Sequence, residues 1–254
     1  MRTIKLTLAY DGTAYAGWQY QVGQPTVQEA LETALKKVTG ETIRVLASGR
    51  TDAGVHALGQ VVGFQTASKL PSEVLRRALN ANLPQDMAVL EVAEAPEGFH
   101  PTTQARRKRY RYVIHDGPVR NIFQRHYVWN YAYGRLDAAA MHRAAQALKG
   151  THDFRSFETR GAERTTTVRT VFDIFVRRAA EADGAGTDGD YVIIEIEADG
   201  FLYNMVRTIV GTLVQVGSGN RPESWPAEVL QACDRRTAGR TAPPQGLILL
   251  KVKY

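Results

Sequence analysis

The sequence is short of cysteine and of long apolar runs. Cys233 is the single cysteine among 254 residues, which excludes an intrachain disulfide and a zinc site built on cysteine pairs. No apolar run approaches the roughly 20 residues that a membrane-spanning helix needs. The N-terminal stretch from Met1 to Lys5 starts directly on an alternating pattern and has no apolar signal segment. We therefore expect a cytoplasmic protein without a membrane partner.

Motifs for metal and cofactor binding are also lacking. The six histidines are scattered without the paired spacing of metal ligands, and no phosphate-binding glycine loop ends in Lys-Ser or Lys-Thr. His152-Asp153 could be mistaken for a ligand pair, but we interpret it as a turn after a helix. The sequence thus predicts no metal and no cofactor, so any chemistry must use carboxylate, arginine and tyrosine side chains.

Positive charge, by contrast, is in excess. Lysine and arginine number 32 against 26 aspartates and glutamates, which gives a net charge of +6 and an isoelectric point near 9.5. This excess favours a polyanionic partner such as a nucleic acid, although many basic proteins bind none. The 44% of hydrophobic and 23% of charged residues are ordinary for a globular protein.

The periodicity of apolar residues predicts an α+β protein. The first part of the chain predicts strand, helix, strand, strand, helix and strand at 3–10, 26–40, 43–48, 59–66, 71–79 and 87–92. This is the order of a ferredoxin-like, or split βαβ, domain. We expect a capping box at the start of the first helix, where Thr26 is followed by Glu29.

The rest of the chain predicts a similar order. Strands are expected at 104–115, 127–131, 166–178, 191–198 and 247–253, and helices at 137–150, 202–216 and 223–233. The Gly- and Asp-rich segment from Glu181 to Asp190 predicts a hairpin tip. We expect two ferredoxin-like halves, residues 1–100 and 101–254, forming a mixed, largely antiparallel sheet with helices on one face and a cleft between the halves.

The stretch Gly49-Arg50-Thr51-Asp52-Ala53-Gly54-Val55-His56, here called the aspartate loop, lies between two apolar runs. Apolar runs bounded by glycines indicate buried strands, so we expect a loop held between strands. Asp52 is costly to bury without a cationic partner. Arg50 and Asp52 taken alone are also compatible with a simple brace for the turn.

A second candidate site is the basic strand, Gln104 to Tyr112. Alternation along a strand places Arg106, Lys108, Tyr110 and Tyr112 on one face, and Arg107, Arg109 and Arg111 on the other. Basic side chains interleaved with aromatic rings suit phosphate contacts and base stacking. The alternative is an edge strand whose charges prevent aggregation.

A third candidate is the segment from Phe201 to Arg207. Arg207 lies beside the apolar face of the predicted helix, and a buried arginine requires an anionic partner. Asp52 could supply that partner. Alternatively, the aliphatic stem of Arg207 leads its charge to solvent.

The aspartate loop matches the signature of the tRNA pseudouridine synthase A family, and the resemblance extends over nearly the whole chain. Further segments that resemble the family are Tyr10-Asp11-Gly12-Thr13, Gly17-Trp18-Gln19, Thr26-Val27-Gln28, Asn80-Ala81-Asn82-Leu83-Pro84, His152-Asp153-Phe154, Met205-Val206-Arg207 and Gly246-Leu247. Their number and order make the resemblance highly specific.

The resemblance implies an enzyme that converts uridine to pseudouridine in tRNA, at positions 38, 39 and 40 of the anticodon stem-loop, and that acts as a homodimer. It implies that Asp52 is the nucleophile and Arg207 its partner, and that Tyr110 stacks on the target base. Arg50 would hold the extruded base, and Leu247 would form the floor of the pocket. The usual aromatic residue after Gly-Leu is replaced by Ile248.

Two other classes of function compete with this interpretation. A non-catalytic RNA-binding protein could use ferredoxin-like sheets with exposed aromatic rings. A glycosidase would pair Asp52 with a second carboxylate. No acidic residue lies close to Asp52 in the chain, since the nearest distinctive candidates are Asp11 and Glu29, so the glycosidase ranks last.

Overall fold

The computed structural model describes residues 1–159, 166–182 and 189–254. Most of the predicted hairpin tip at Glu181–Asp190, namely residues 183–188, lies outside the described residues. The described chain groups into two units, one of residues 1–106 with 248–254 and one of residues 107–247.

The described residues hold ten strands and five α-helices. The strands are β1 (Arg2–Tyr10), β2 (Leu46–Ala47), β3 (His56–Thr66), β4 (Met87–Ala95), β5 (Arg107–His115), β6 (Trp129–Asn130), β7 (Gly150–Asp153), β8 (Val168–Ala179), β9 (Tyr191–Ala198) and β10 (Leu247–Lys253). The helices are α1 (Val27–Thr39), α2 (Ser72–Asn82), α3 (Ala138–Ala145), α4 (Met205–Gly217) and α5 (Trp225–Ala232). None of these helices has the length and apolar character needed to cross a membrane.

In the first unit the strands lie in the order β4-β1-β3-β10, and β2 also pairs with β3. The pairs are antiparallel except β10 with β3, which is parallel and sets Ile248 opposite His56. Helix α1 begins as predicted at Thr26, whose side chain accepts the amide of Glu29. It ends at Gly40, whose φ of 76° is favourable for glycine.

In the second unit the strands lie in the order β5-β9-β8-β7, and β6 pairs with β5 in parallel. The other pairs are antiparallel. Every residue of β9 is buried, so both faces of this strand are covered. Helix α4 carries Gly211, where a Cβ would lie 1.7 Å from the carbonyl oxygen of Arg240. The α4 backbone therefore packs directly against the segment that precedes β10.

The α+β class and the mixed, largely antiparallel pairing are confirmed. Several details of the prediction are wrong. Strand β2 has only two residues. Ile43 and Val45, which were expected in it, are buried but do not pair with another strand. His152 and Asp153 belong to strand β7, where they pair with β8, and do not form a turn.

The bounds of the two units also differ from those expected. The last strand was expected to complete the second half, but its residues from Ile248 group with the first unit because β10 pairs with β3. The pairing is close: a Cβ at Gly59 of β3 would lie 2.5 Å from the carbonyl oxygen of Leu250. The cleft that the sequence predicts between the halves stays an expectation.

Candidate active site

A buried glutamine holds the start of the aspartate loop. Gln60 of β3 has no exposed surface, accepts the hydroxyl of Ser48 at 2.7 Å and donates to the carbonyl oxygen of Gly49 at 2.7 Å. The hydroxyl of Tyr10 lies 2.8 Å from that of Thr51 and accepts from Gln60 at 3.4 Å. Burial raises the pKa of Tyr10 to about 12, so this hydroxyl stays protonated at neutral pH. Every polar group in this buried cluster has a partner, which makes the loop rigid.

The loop that follows β1 packs against the other side of the aspartate loop. The amide of Trp18 donates to the carbonyl oxygen of Thr51 at 3.0 Å, and the amide of Gly12 donates to Nδ1 of His56 at 3.0 Å. A Cβ at Gly12 would lie 2.1 Å from the carbonyl oxygen of Val55. The two loops therefore touch through their backbones, and glycine is required where they meet.

Asp52 and Arg50 project from this fixed backbone. The carbonyl oxygen of Asp52 accepts the amide of Val55 at 3.1 Å, which closes a turn within the loop. Asp52 is half-buried and Arg50 is exposed. The loop thus carries one half-buried carboxylate on a fixed backbone, with an exposed cationic side chain two residues before it.

The predicted alternation is confirmed within β5, but the strand begins at Arg107, so Arg106 lies just before it. Tyr110 lies opposite Ile196 and Tyr112 opposite Ile194, whereas Arg109 lies opposite Glu197. Tyr110 is less than a tenth exposed, and its ring meets that of Phe201 edge to face, with 5.1 Å between the centroids. The structure therefore brings together two of the candidate segments, the basic strand and the segment that begins at Phe201.

The other face of β5 forms a network of ion pairs. Its members are Arg107, Arg109, Arg111, Asp173, Glu195 and Glu197, here called the carboxylate network. Arg109 alone reaches three carboxylates, at 3.0 to 3.2 Å. Burial would lower the pKa of Arg109, but its bonds to these carboxylates outweigh burial and raise the pKa above its usual value.

Because of this network, the three arginines have a structural role. Glu195 and Glu197 are both less than a tenth exposed, and a buried carboxylate requires paired cations. The guanidinium of Arg107 also stacks on Phe172, with 4.2 Å to the ring centroid. These arginines therefore neutralise the protein's own carboxylates, a partnership that the strand pattern alone did not reveal.

Arg207 is anchored near the start of α4. Its Nε donates to the carbonyl oxygen of Ala242 at 2.8 Å, and its Nη1 donates to Oδ1 of Asn204 at 2.8 Å. Asn204 precedes the helix with a φ of 61°, in the left-handed region that asparagine tolerates. Two hydrogen bonds in different directions fix the plane of the guanidinium, so the Arg207 side chain does not simply extend into solvent.

Gly246, the residue before Leu247, packs closely against a tyrosine. Tyr112 is fully buried and donates its hydroxyl to the carbonyl oxygen of Pro243 at 2.7 Å. A Cβ at Gly246 would lie 2.7 Å from the Tyr112 ring, so glycine is required there. Burial raises the pKa of Tyr112, and the charge of Arg207 opposes that rise only in part. Leu247 itself is buried.

The described residues contain no group of three or more His, Cys, Asp or Glu side chains that could hold a metal ion. The residues that sequence reasoning missed are supporting ones: Tyr10 and Gln60 behind the aspartate loop, and Asn204 and Ala242 behind Arg207. Tyr10 stood in a segment already noted, but no local pattern connects Gln60 to Gly49.

Comparison with known proteins identifies the family. The family model described as tRNA pseudouridine synthase matches residues 7–102 and 144–254. The chain belongs to this family.

Curated relatives agree over the full length. The tRNA pseudouridine synthase A of Moorella thermoacetica is 47% identical over 257 residues, and that of Thermoanaerobacter sp. (strain X514) is 46% identical over 254 residues. The protein of the same name from Brevibacillus brevis is 44% identical over 254 residues. Each alignment covers 100% of both chains. These three relatives thus resemble this chain over its whole length.

The carboxylate network yields a prediction about stability. Replacing Arg109 by Met keeps the aliphatic stem but leaves two buried carboxylates short of a cation, so we expect a loss of about 3 kcal/mol in the free energy of unfolding. Urea denaturation measures this loss. Arg106→Met, at the exposed residue just before this strand, is the control and should unfold like the wild type. Equal unfolding midpoints for both variants would contradict a structural role for Arg109.

Proposed function

We propose that this tRNA pseudouridine synthase isomerises uridine to pseudouridine at positions 38, 39 and 40 of the anticodon stem-loop, with Asp52 as the nucleophile. In this reaction the bond from C1′ to N1 of uracil breaks and a bond from C1′ to C5 forms. The C5 proton is lost and N1 gains one, so the change is redox-neutral and requires no cofactor. The observation that carries the proposal is the single half-buried carboxylate on a rigid loop.

Asp52 suits covalent catalysis. An ionised carboxylate can attack either C1′ of the sugar or the uracil ring, and either attack divides one difficult step into two easier ones. The bonds from Gln60 and Tyr10 hold the loop before the substrate arrives. Such preorganisation reduces the loss of entropy on reaching the reactive geometry.

Arg207 is the proposed partner of Asp52. A guanidinium close to a carboxylate favours its ionised form and can fix its direction through two parallel bonds. The anchoring of Arg207 by Asn204 and Ala242 supports this role, because a fixed cation costs little to position. In this proposal the residues 1–100 carry the nucleophile and the residues 101–254 carry its partner and the stacking tyrosine.

Tyr110 is proposed to stack on the target uracil after extrusion from the RNA helix. Extrusion costs a few kcal/mol, which stacking and loop contacts offset. The edge-to-face contact with Phe201 orients the Tyr110 ring. The exposed Arg50 would hold the displaced nucleotide, and Leu247 would form the floor of the pocket, where Ile248 replaces the family's usual aromatic residue.

Phosphate contacts are proposed mainly for Arg106 and Lys108. Arg106 is exposed, and Lys108 shares the face of Tyr110 on the basic strand. Arg107, Arg109 and Arg111 would have to share their charge between phosphates and the carboxylate network, so their contribution to RNA binding should be smaller. We further propose, from the family resemblance, a homodimer that works in the cytoplasm.

The nucleophile is tested by replacing its carboxylate. We expect Asp52→Asn and Asp52→Ala to abolish pseudouridine formation in unmodified tRNA, while tRNA affinity stays within about tenfold of the wild type. Pseudouridine mapping by sequencing, together with filter binding, measures both quantities. Asp86→Asn is the matched control and should keep its activity, since asparagine can still accept the hydroxyl of Tyr15. Residual turnover near the wild-type rate would remove Asp52 from this role, and normal function without turnover would favour the RNA-binding alternative.

The pairing of Arg207 with Asp52 is tested by a double-mutant cycle. Arg207→Ala should slow turnover strongly and lower stability, and Arg207→Lys should restore the charge without the two-pronged geometry. The destabilisation by Arg207→Ala should change by at least about 0.5 kcal/mol when Asp52 is already Asn, as expected for residues in contact. Arg240→Ala, an exposed arginine, is the control. Strictly additive stabilities would separate the two residues.

Stacking and phosphate binding should separate in kinetics. Tyr110→Phe keeps the ring and should keep tRNA affinity, so any loss of rate reports the hydroxyl, whereas Tyr110→Leu should be far slower in single turnover. Arg106→Ala and Lys108→Ala should instead raise the Michaelis constant and reduce the salt dependence of binding by about one unit of slope. Equal effects of all four variants on affinity, with unchanged rates, would leave β5 as an RNA platform only.

A further inference from the structure

A cavity of about 390 Å³ lies beyond the C-terminal end of β5, within the second unit. Its lining residues are His115, Asp116, Gly117, Pro118, Arg120, Asn130, Tyr131, Ala132, Gly134 and Arg135. None of them has a part in the proposed reaction. His115 is five residues from Tyr110 on the strand, or about 17 Å at the usual rise per residue, and its side chain is on the opposite face. We call it the β5-end cavity.

The acidic groups at this cavity are already neutralised. Asp116 accepts two bonds from Arg178, at 2.7 and 2.8 Å, and one from the amide of Leu136. Burial would raise the pKa of Asp116, but Arg178 and Leu136 outweigh it and hold the pKa below its usual value. The carboxylate therefore stays ionised, and its charge is matched by that of Arg178.

One cation of the lining is left in excess. Arg135 bonds to Oδ1 of Asp190 at 3.0 Å, which uses the second carboxylate near the cavity. Arg120, in contrast, is exposed and has no carboxylate or other polar partner among the residues that the structure describes. Among the described residues, the lining thus carries one positive charge without a matching carboxylate, which suits an anionic ligand.

A buried imidazole at the cavity also lacks a partner. His115 is less than a tenth exposed, and its Nδ1 has no hydrogen-bond partner within the described part of the chain. Its ring is fixed edge to face on Tyr191, with 5.0 Å between the centroids. A buried polar atom without a partner costs about 1–3 kcal/mol, so a cavity ligand that reaches Nδ1 would recover that cost.

We propose that the β5-end cavity binds a phosphate group, with Arg120 supplying the charge and His115 a hydrogen bond. The volume exceeds that of a phosphate alone and falls in the range of small-ligand pockets. At Gly134, one of the lining residues, a Cβ would meet no atom within 4 Å. The phosphate comes either from the backbone of bound tRNA or from a free anion.

The test uses the full chain and two probes, inorganic phosphate and unmodified tRNA. Imidazole NMR signals of histidine-labelled protein are followed during a phosphate titration, and the His115 signal is identified by its loss in His115→Gln. We expect a saturable shift of that signal, with the affinity reduced about tenfold or more in Arg120→Ala. Arg125→Ala is the matched control: this arginine lies outside the lining and bonds to the carbonyl oxygen of Ile122.

The experiment with tRNA depends on the proposed function, and it identifies the source of the phosphate. If a tRNA phosphate fills the cavity, Arg120→Ala should reduce the salt slope of tRNA binding by about one, and Arg120→Lys should restore it. An unchanged slope together with Arg120-dependent phosphate binding assigns the cavity to a free anion. No Arg120-dependent phosphate binding and no change of slope would overturn the proposal, whether or not the protein forms pseudouridine.

Discussion

The hydrogen bonds of one buried glutamine amide fix the loop on which the proposed chemistry depends. Gln60 has no access to solvent, so each of its polar atoms must be satisfied by protein, and its partners are Ser48, Gly49 and Tyr10. Those bonds connect β1 and β3 to the backbone that carries Asp52. Because β1 and β3 are paired antiparallel strands, the core of the first unit sets the orientation of the aspartate loop.

In the second unit, buried charges are likewise satisfied by other groups of the protein. Its buried strand β9 carries Glu195 and Glu197, and the arginines of β5 neutralise them. A basic strand that looks from its composition like an RNA surface is therefore partly a structural element. The two faces of β5 have different contacts. One face stabilises the sheet by ion pairs, and on the other face Tyr110 contacts Phe201. In our proposal, RNA recognition in this unit depends mainly on cations outside the carboxylate network.

Arg207 and Arg120 illustrate two states of an arginine in one unit. Arg207 is fixed by a backbone carbonyl and an asparagine, which suits a charge that must act in one direction. Arg120 is exposed and carries a charge that the described residues do not balance, which suits the capture of an outside anion. The family is named for tRNA, which is a polyanion, and in our proposals both kinds of arginine act on such a substrate.

The sequence by itself determined the order of the elements in the first unit, the α+β class and the alternation that separates Tyr110 from Arg109 on β5, because these follow from local periodicity. Tertiary structure decided which strands and side chains meet. Strand β10 joins β3, and Arg109 finds Glu195 and Glu197 more than 80 residues away. Local patterns contain no information on such distant partners, since pairing depends on how complete strands pack and on which buried charges remain to be neutralised.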